Sequence, residues 1–395
     1  MASWEAYERA CAGLAAPFAL VDMDALWANA AAMLARAGGK PVRVATKSVR
    51  CRALIQQILT SDERFRGLMT FTLPETLWLH EHGFGDLLLA YPTADDTALE
   101  ELARIEAPDR PIVMVDSVEH LDWLTRAAPD PAAPLRLCIE FDTGYQLPGP
   151  LGTIGPKRSP IRTPKAAAAL AREIGARPGL ELAALMGYEG HIAGVGDLPL
   201  GNPLRGIAIR RMQRASVAEI AERRAAIVAA VREWAPVDLV NGGGTGSLTT
   251  TAREEAVTEL TAGSGFYAPA LFDRYSGFTQ RPAAMFAMPV VRRARRDVVT
   301  LLGGGYLASG AATKDRLPEP YLPEGLTLDP LEGAGEVQTP VKGKAARSLK
   351  IGDNVYLRHA KAGELCERFD SLHLLQGGDV LDEVPTYRGE GRAFL

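Results

Sequence analysis

From about residue 42 the chain alternates short apolar runs with amphipathic or alanine-rich stretches, a rhythm that constrains the fold more than any other feature. The runs cover 42–46, 67–72, 86–91, 111–116, 135–142, 181–190, 237–243 and 257–265. Runs of this length, bounded by turn signals, suit strands of a parallel sheet buried on both faces. Between them lie segments such as "RALIQQILTSDERF" and "AEIAERRAAIVAAVREW", which read as helices. Eight βα units are the number that closes a (β/α)8 barrel, with the open doubly wound sheet as the alternative.

Past residue 280 the texture changes to short strands between Gly/Pro turns, as in "DVVTLLGGGYL", "GEVQTPVKG" and "SLHLLQGG". An all-β domain is expected there. The N-terminal "PFALVDMDALWANAAAMLARAGG" reads as one strand and then a helix ending at Gly38-Gly39. The expected organisation is therefore α/β: residues 1–40 joining the two domains, a barrel over 41–280, and a C-terminal β domain over 281–395.

Composition narrows the function. No stretch approaches the ~20 apolar residues of a membrane span, and the net charge of −4 gives no global attraction to nucleic acid. The basic run Arg292-Arg293-Ala294-Arg295-Arg296 reads as a solvated strand edge or turn. Cys11, Cys51, Cys138 and Cys366 are scattered without CxxC spacing, which suggests reduced thiols. The early acidic residues do not read as a secretory signal. A soluble cytoplasmic protein acting on a small molecule is expected.

Barrel enzymes carry their chemistry at the C-terminal ends of the strands. Lys47 ends the first run, "GYEGH" (187–191) the sixth, "NGGGTGS" (241–247) the seventh and "AGSGFY" (262–267) the eighth. A lone lysine there is either a surface residue or a covalent anchor whose charge is removed by imine formation. Two Gly-rich turns after strands seven and eight leave backbone N–H groups bare beside Ser and Thr hydroxyls, which suits a phosphate.

On Lys47, "GYEGH", "NGGGTGS" and "ELTAGSGFY", the chain resembles the fold type III pyridoxal-phosphate enzymes, the alanine-racemase-like barrels. Within them it is most similar to the D-threonine aldolase and D-serine dehydratase branch, including proteins described as amino acid deaminase/aldolases. The resemblance runs over nearly the whole chain. It implies that pyridoxal 5'-phosphate is bound, with Lys47 as the Schiff-base lysine and Tyr188 touching the cofactor. Gly243, Gly244, Thr245, Ser264, Gly265 and Tyr267 would hold the phosphate. It further implies a homodimer in which one subunit's β domain closes the other's barrel mouth. His191 sits beside the ring, orients the substrate, or is bonded only locally.

Two departures from that family stand out. After strand five the branch has an acidic-Gly stretch followed by an arginine able to meet the pyridine nitrogen. Here "FDTGYQLPGP" puts Leu147 near that place, so either Lys157 or Arg158 serves instead from a longer loop, or the ring nitrogen has no strong donor and the electron sink is weaker. The branch also binds a divalent metal, zinc or manganese, through a His-x-Cys or His-x-Asp pair in the β domain. Here "YLRHAKAGELCERFD" offers His359, but Lys361 stands two residues on, where the second ligand belongs. On a strand His359 and Lys361 would share one face, with Glu364 and Cys366 on the other. Either His359 and Cys366 or Glu364 keep a metal after a bend, or Lys361 replaces the cation.

The expected activity is a lyase acting on a β-hydroxy amino acid, of D configuration, by retro-aldol cleavage or dehydration. Lys47, His191, His359 and Lys361 are its candidate catalytic residues. The rivals are an amino-acid racemase, for which Tyr306 is the candidate second base, a decarboxylase, and a non-catalytic cofactor carrier.

Overall fold

The computed structural model describes residues 3–106, 109–127, 131–147, 152–199 and 201–395. Part of the loop discussed above, residues 148–151, lies outside them. The chain divides into two compact units. The larger takes residues 33–47, 57–263 and 394–395; the other takes those up to 32, 48–56 and 264–393.

Strand β1 (Phe18–Asp22) belongs to the second unit. The first is built on β2 (Val42–Ala45), β3 (Phe65–Thr70), β4 (Leu87–Leu89), β5 (Val113–Val115) and β6 (Leu135–Glu140). A small hairpin of β7 (Tyr145–Gln146) and β8 (Thr153–Ile154) follows, and β9 (Leu180–Gly187), β10 (Leu239–Gly242) and β11 (Glu259–Ala262) complete the sheet. Neighbours run β4-β3-β2-β11-β10-β9-β6-β5, and a parallel bridge between Leu88 and Ile112 joins β4 to the start of β5. The sheet thus curls back on itself as an eight-stranded parallel barrel, which removes the open-sheet alternative.

Period-2 alternation explains the packing. One set of strand residues, including Met69, Leu88, Met114, Cys138, Ala184 and Met186, forms one apolar cluster. The alternate set, such as Leu137, Ile139, Leu185 and Val240, packs with the helical Leu170, Ile174, Ile227 and Val231. Full burial of each such side chain stabilises by roughly 1.5–3 kcal/mol.

Buried polar groups interrupt this apolar packing. Arg43 Nε and Nη2 donate to Glu259 at 2.7 and 2.8 Å, and Asn241 Nδ2 donates to the same carboxylate at 2.7 Å. Arg43 also donates to Asp86 through its backbone and side-chain oxygens. A charge this deep is tolerated because each lobe of the guanidinium has an acceptor. Gly67, at φ +67°, makes room for it: a Cβ there would lie 2.4 Å from Arg43 Nη1.

In the second unit β1 pairs antiparallel with β12 (Ala284–Arg295) and parallel with β18 (Ser371–Gln376). Around them lie β13 (Val298–Leu302), β14 (Glu319–Leu322), β15 (Leu326–Leu328), β16 (Gln338–Gly343), β17 (Asn354–Arg358) and β19 (Asp379–Pro385). The order β15-β16-β13-β12-β1-β18-β19 is mostly antiparallel, with β17 pairing β12 and β14. Tyr7, Phe18, Leu20, Met285 and Tyr356 form a core here. β12 is buried at its start and exposed over Arg292–Arg295, so the basic run is a solvated strand end.

Candidate active site

Lys47 occupies a single 3-10 turn, Thr46–Ser48, that closes β2. Thr46 pins the turn by donating its hydroxyl to the Met69 carbonyl at 3.1 Å. The Lys47 side chain is exposed, and its Nζ donates to Tyr91 Oη at 2.7 Å. Tyr91, just past β4, lies under two cations: Lys47 Nζ is 5.4 Å and the Arg158 guanidinium 5.5 Å from its ring centre. Arg158 also lies 5.2 Å from the Tyr188 ring and 3.9 Å from Glu140 at the end of β6. Of the two basic residues in the loop, Arg158 is therefore the one brought to Lys47's cluster.

The ionisable groups respond to one another. Burial pushes the Glu140 carboxyl up to about 7 against the pull of Arg158, with Asp116 and Asp142 adding to the rise. Burial would also raise the Tyr91 phenol, but the Lys47 charge and hydrogen bond, with Arg158, bring it below the ordinary phenol value. Tyr188 is raised, mainly by burial.

Close packing and a buried carboxylate fix the "GYEGH" segment. A Cβ at Gly187 would meet the Phe141 ring at 2.3 Å, so only glycine fits where β9 ends. Glu189, absent from the sequence-derived candidates, is fully buried and holds the glycine-rich turn. Its carboxylate accepts from Gly243 N at 3.3 Å, Ser247 Oγ at 3.1 Å, the Thr251 hydroxyl and Arg224 Nη2 at 3.0 Å. Arg224, also fully buried, pairs onward with Glu254 at 2.5 Å. Gly244 N donates to Ser247 Oγ at 3.0 Å. The Gly243 and Gly244 N–H groups thus already have acceptors within the barrel. Gly243 sits at φ +86°, and a Cβ at Gly244 would lie 2.8 Å from Ala193 Cβ and 3.0 Å from the Tyr188 ring. Thr245 is buried, its carbonyl accepting from Arg36 at 2.6 Å. His191 is buried in the short helix Gly190–Ala193, its Nε2 2.5 Å from Ser216 Oγ. Burial lowers its pKa, opposed by Glu189 and Asp142.

The remaining candidates lie in the other unit. Ser264, Gly265 and Tyr267 share the short helix Ser264–Tyr267. Tyr267 is fully buried and donates its hydroxyl to the Val49 carbonyl at 2.9 Å, so that hydroxyl is committed to backbone. The same carbonyl accepts from Cys366 Sγ at 3.3 Å, and burial raises that thiol strongly.

His359 and Lys361 do not share a strand face. β17 ends at Arg358, and both residues follow in a loop leading to a 3-10 turn over Glu364–Glu367. The strand-parity expectation therefore fails, because a bend intervenes at once. His359, Lys361 and Glu364 line one cavity with Tyr306, Ser309 and Arg368. His359 is held down to about 3 by burial, with Arg358 adding to the effect, and is neutral at physiological pH. Lys361 Nζ donates to Ser309 Oγ at 3.0 Å and to its carbonyl at 3.3 Å. Tyr306 packs on Phe286 and Phe369 at ring separations of 5.1 and 5.8 Å, and burial raises its phenol.

A parallel barrel with a lysine ending its first strand and a mostly antiparallel second sheet defines the fold type III pyridoxal-phosphate class. Over residues 21–268 the chain matches the alanine racemase N-terminal domain family, and it belongs to that family. In structure it is similar to the D-threonine aldolase of Filomicrobium marinum, at TM-score 0.76 and 19% identity over 95% of each chain. The D-threo-3-hydroxyaspartate dehydratase of a Delftia strain superposes at TM-score 0.70 and 18% identity, covering 95% of this chain and 98% of that one. An alanine racemase of Clostridium difficile does so at TM-score 0.61 and 12% identity over 94% and 98%. No curated protein matches the chain in sequence.

Pyridoxal phosphate is the cofactor expected of this family, and the barrel residues fit it. They supply an amine at a strand end, an aromatic ring against glycine backbone, a guanidinium beside two rings, and a turn too tight for a side chain at Gly244. A divalent cation fits poorly. Among the described residues no three His, Cys, Asp or Glu side chains gather as a cation cage, the Cys366 thiol is held protonated, and Lys361 carries its own charge beside His359.

Proposed function

We propose that this chain is a pyridoxal-phosphate-dependent lyase acting on a β-hydroxy amino acid, of D configuration, by retro-aldol cleavage or dehydration. The observation that carries it is the Lys47 amine at the C-terminal end of a barrel strand, 2.7 Å from Tyr91 Oη and in one cluster with Arg158 and Tyr188. The cofactor, when bound, supplies an electron sink for charge released at the substrate's Cα.

The chain's own residues do the rest. Lys47 would hold the cofactor and move the proton at Nζ, since an amine freed of its proton is both nucleophile and base. Tyr188 would give the cofactor an apolar face, and Arg158 would set its charge environment. Thr245 would meet the phosphate, while Gly243 and Gly244 shape the turn. His359, neutral and buried, would exchange a proton with the substrate's β-hydroxyl. Lys361, fixed by Ser309, would donate a charge-assisted hydrogen bond to that hydroxyl in place of a metal. We further propose that the protein works as a homodimer, for which sedimentation at assay concentration is the check.

The test is a product assay on holoenzyme with D-threonine, D-serine and D-alanine. Glycine plus aldehyde marks cleavage, ammonia plus oxo acid marks dehydration, and the L-enantiomer would make the protein a racemase and overturn the lyase. Borohydride reduction followed by peptide mass analysis should fix the cofactor on Lys47; fixation on another lysine would remove the assignment.

A further inference from the structure

Tyr91 has no place in the chemistry above, yet its Oη accepts a hydrogen bond from Lys47 Nζ at 2.7 Å. It lies beyond β4, 44 residues along the chain, and is only partly exposed. The groups facing it come from several elements. Lys47 stands on the turn after β2 and Arg158 just past β8, while Glu140 at the end of β6 and Tyr188 just past β9 act on Tyr91 through their charge and each lie against Arg158. Two of the four are cations, 5.4 and 5.5 Å from the centre of the Tyr91 ring.

A phenol between two cations is stabilised as phenolate. A lysine ammonium has no lone pair and can neither attack a carbonyl carbon nor take a proton from carbon. A group in direct hydrogen-bond contact with Nζ can accept the ammonium's proton in one step. We propose that Tyr91 is the proton carrier of Lys47. Its Oη takes one proton from Nζ when a free amine is needed and returns it afterwards.

The step balances. Ammonium plus phenolate becomes amine plus phenol, one N–H bond breaks as one O–H bond forms, and the pair's net charge stays at zero. No oxidant or other reactant is involved. Arg158 holds the pair's charge and Glu140 opposes it, so both set the pH at which the first proton leaves. The proposal rests on Lys47 being the cofactor-bearing amine, but its test does not require loaded enzyme.

The experiment is trace acetylation of the apoenzyme across pH, with Lys47 reactivity read by peptide mass spectrometry in wild type and Tyr91→Phe. A lysine sharing its proton with a phenol should gain reactivity in two steps, a partial plateau and then a rise. Tyr91→Phe should show a single step. A single wild-type step coinciding with that of Tyr91→Phe overturns the proposal. If Tyr91→Phe does not melt cooperatively, Arg158→Gln takes its place. Losing that cation should raise the first step by roughly one pH unit, and no shift overturns the proposal.

In holoenzyme, Tyr91→Phe should lower kcat by about 100-fold with KM little changed, remove one limb of the pH profile, and still give full borohydride trapping on Lys47. Unchanged kcat and pH profile would count against it. If trapping falls on another lysine while the two-step labelling persists, the cofactor assignment fails and the proton coupling stands.

Discussion

The two candidate clusters handle buried polarity in opposite ways. In the barrel, buried charge is kept and paired, with Arg224 between Glu189 and Glu254 and Arg43 between Glu259 and Asp86, while the exposed Lys47 and Arg158 stand around Tyr91. In the β unit, charge is removed from the deepest group: burial holds His359 neutral, and the ammonium of Lys361 is tied to Ser309. Paired charges hold fixed geometry and poise proton exchange at the strand ends. Burial keeps the His359 imidazole neutral because its protonated form would have to be desolvated.

Four substitutions bear on that contrast, in order of expected effect. Lys47→Ala should abolish turnover and leave no borohydride-fixed cofactor by peptide mass, because no other group in the barrel cluster is an amine. A residual adduct elsewhere would break the contrast at its root.

Glu189→Ala strips the glycine-rich turn of its acceptor and leaves Arg224 with one carboxylate fewer. Removing one partner of a buried pair costs about 3–5 kcal/mol. Denaturant unfolding should show a loss of that size. A change within experimental error would mean that the turn is held by its own backbone.

Lys361→Ala should lower kcat by roughly 100-fold, the usual loss for one charge-assisted donor, with cofactor trapping on Lys47 unaltered. Chelator treatment should leave wild-type activity in place. Activity lost to chelation and restored by zinc or manganese would show that His359 works with a metal after all.

The smallest effect is on the pH dependence of stability. Glu140 has its folded-state pKa raised to about 7, above the ordinary 4.5. Between those values the folded protein holds a proton that the unfolded chain has released. Stability from this group is therefore full below pH 4.5 and is lost as pH rises toward 7. The slope is up to about 1.4 kcal/mol per pH unit. The difference between apo wild type and Glu140→Gln should follow this slope, and parallel stability curves would contradict it.

How much of this was legible differs by residue. The barrel and β domain were readable because strand burial writes itself as local apolar runs, and Lys47 because a charge ends such a run. Gly187 and Gly244 were visible as glycines, though not their reasons, which are a Phe141 ring and an Ala193 methyl from elsewhere in the chain. The shared face of His359 and Lys361 was misread because nothing in "LRHAK" marks the strand's end at Arg358. Glu189 lies inside "GYEGH", but its partners lie 35 to 62 residues away.

Periodicity, turn residues and the family motifs, all of them short-range, determined the fold class, the lysine at the end of the first barrel strand and the glycine-rich turns from sequence alone. Tertiary structure decided which charges meet. It brought Arg158 rather than Lys157 to the Lys47 cluster, set Tyr91 against the Lys47 amine, and turned the Gly243 N–H inward to Glu189. The physical reason is that ion pairs and hydrogen bonds act over a few ångströms in space, between groups whose separation along the chain leaves no periodic trace.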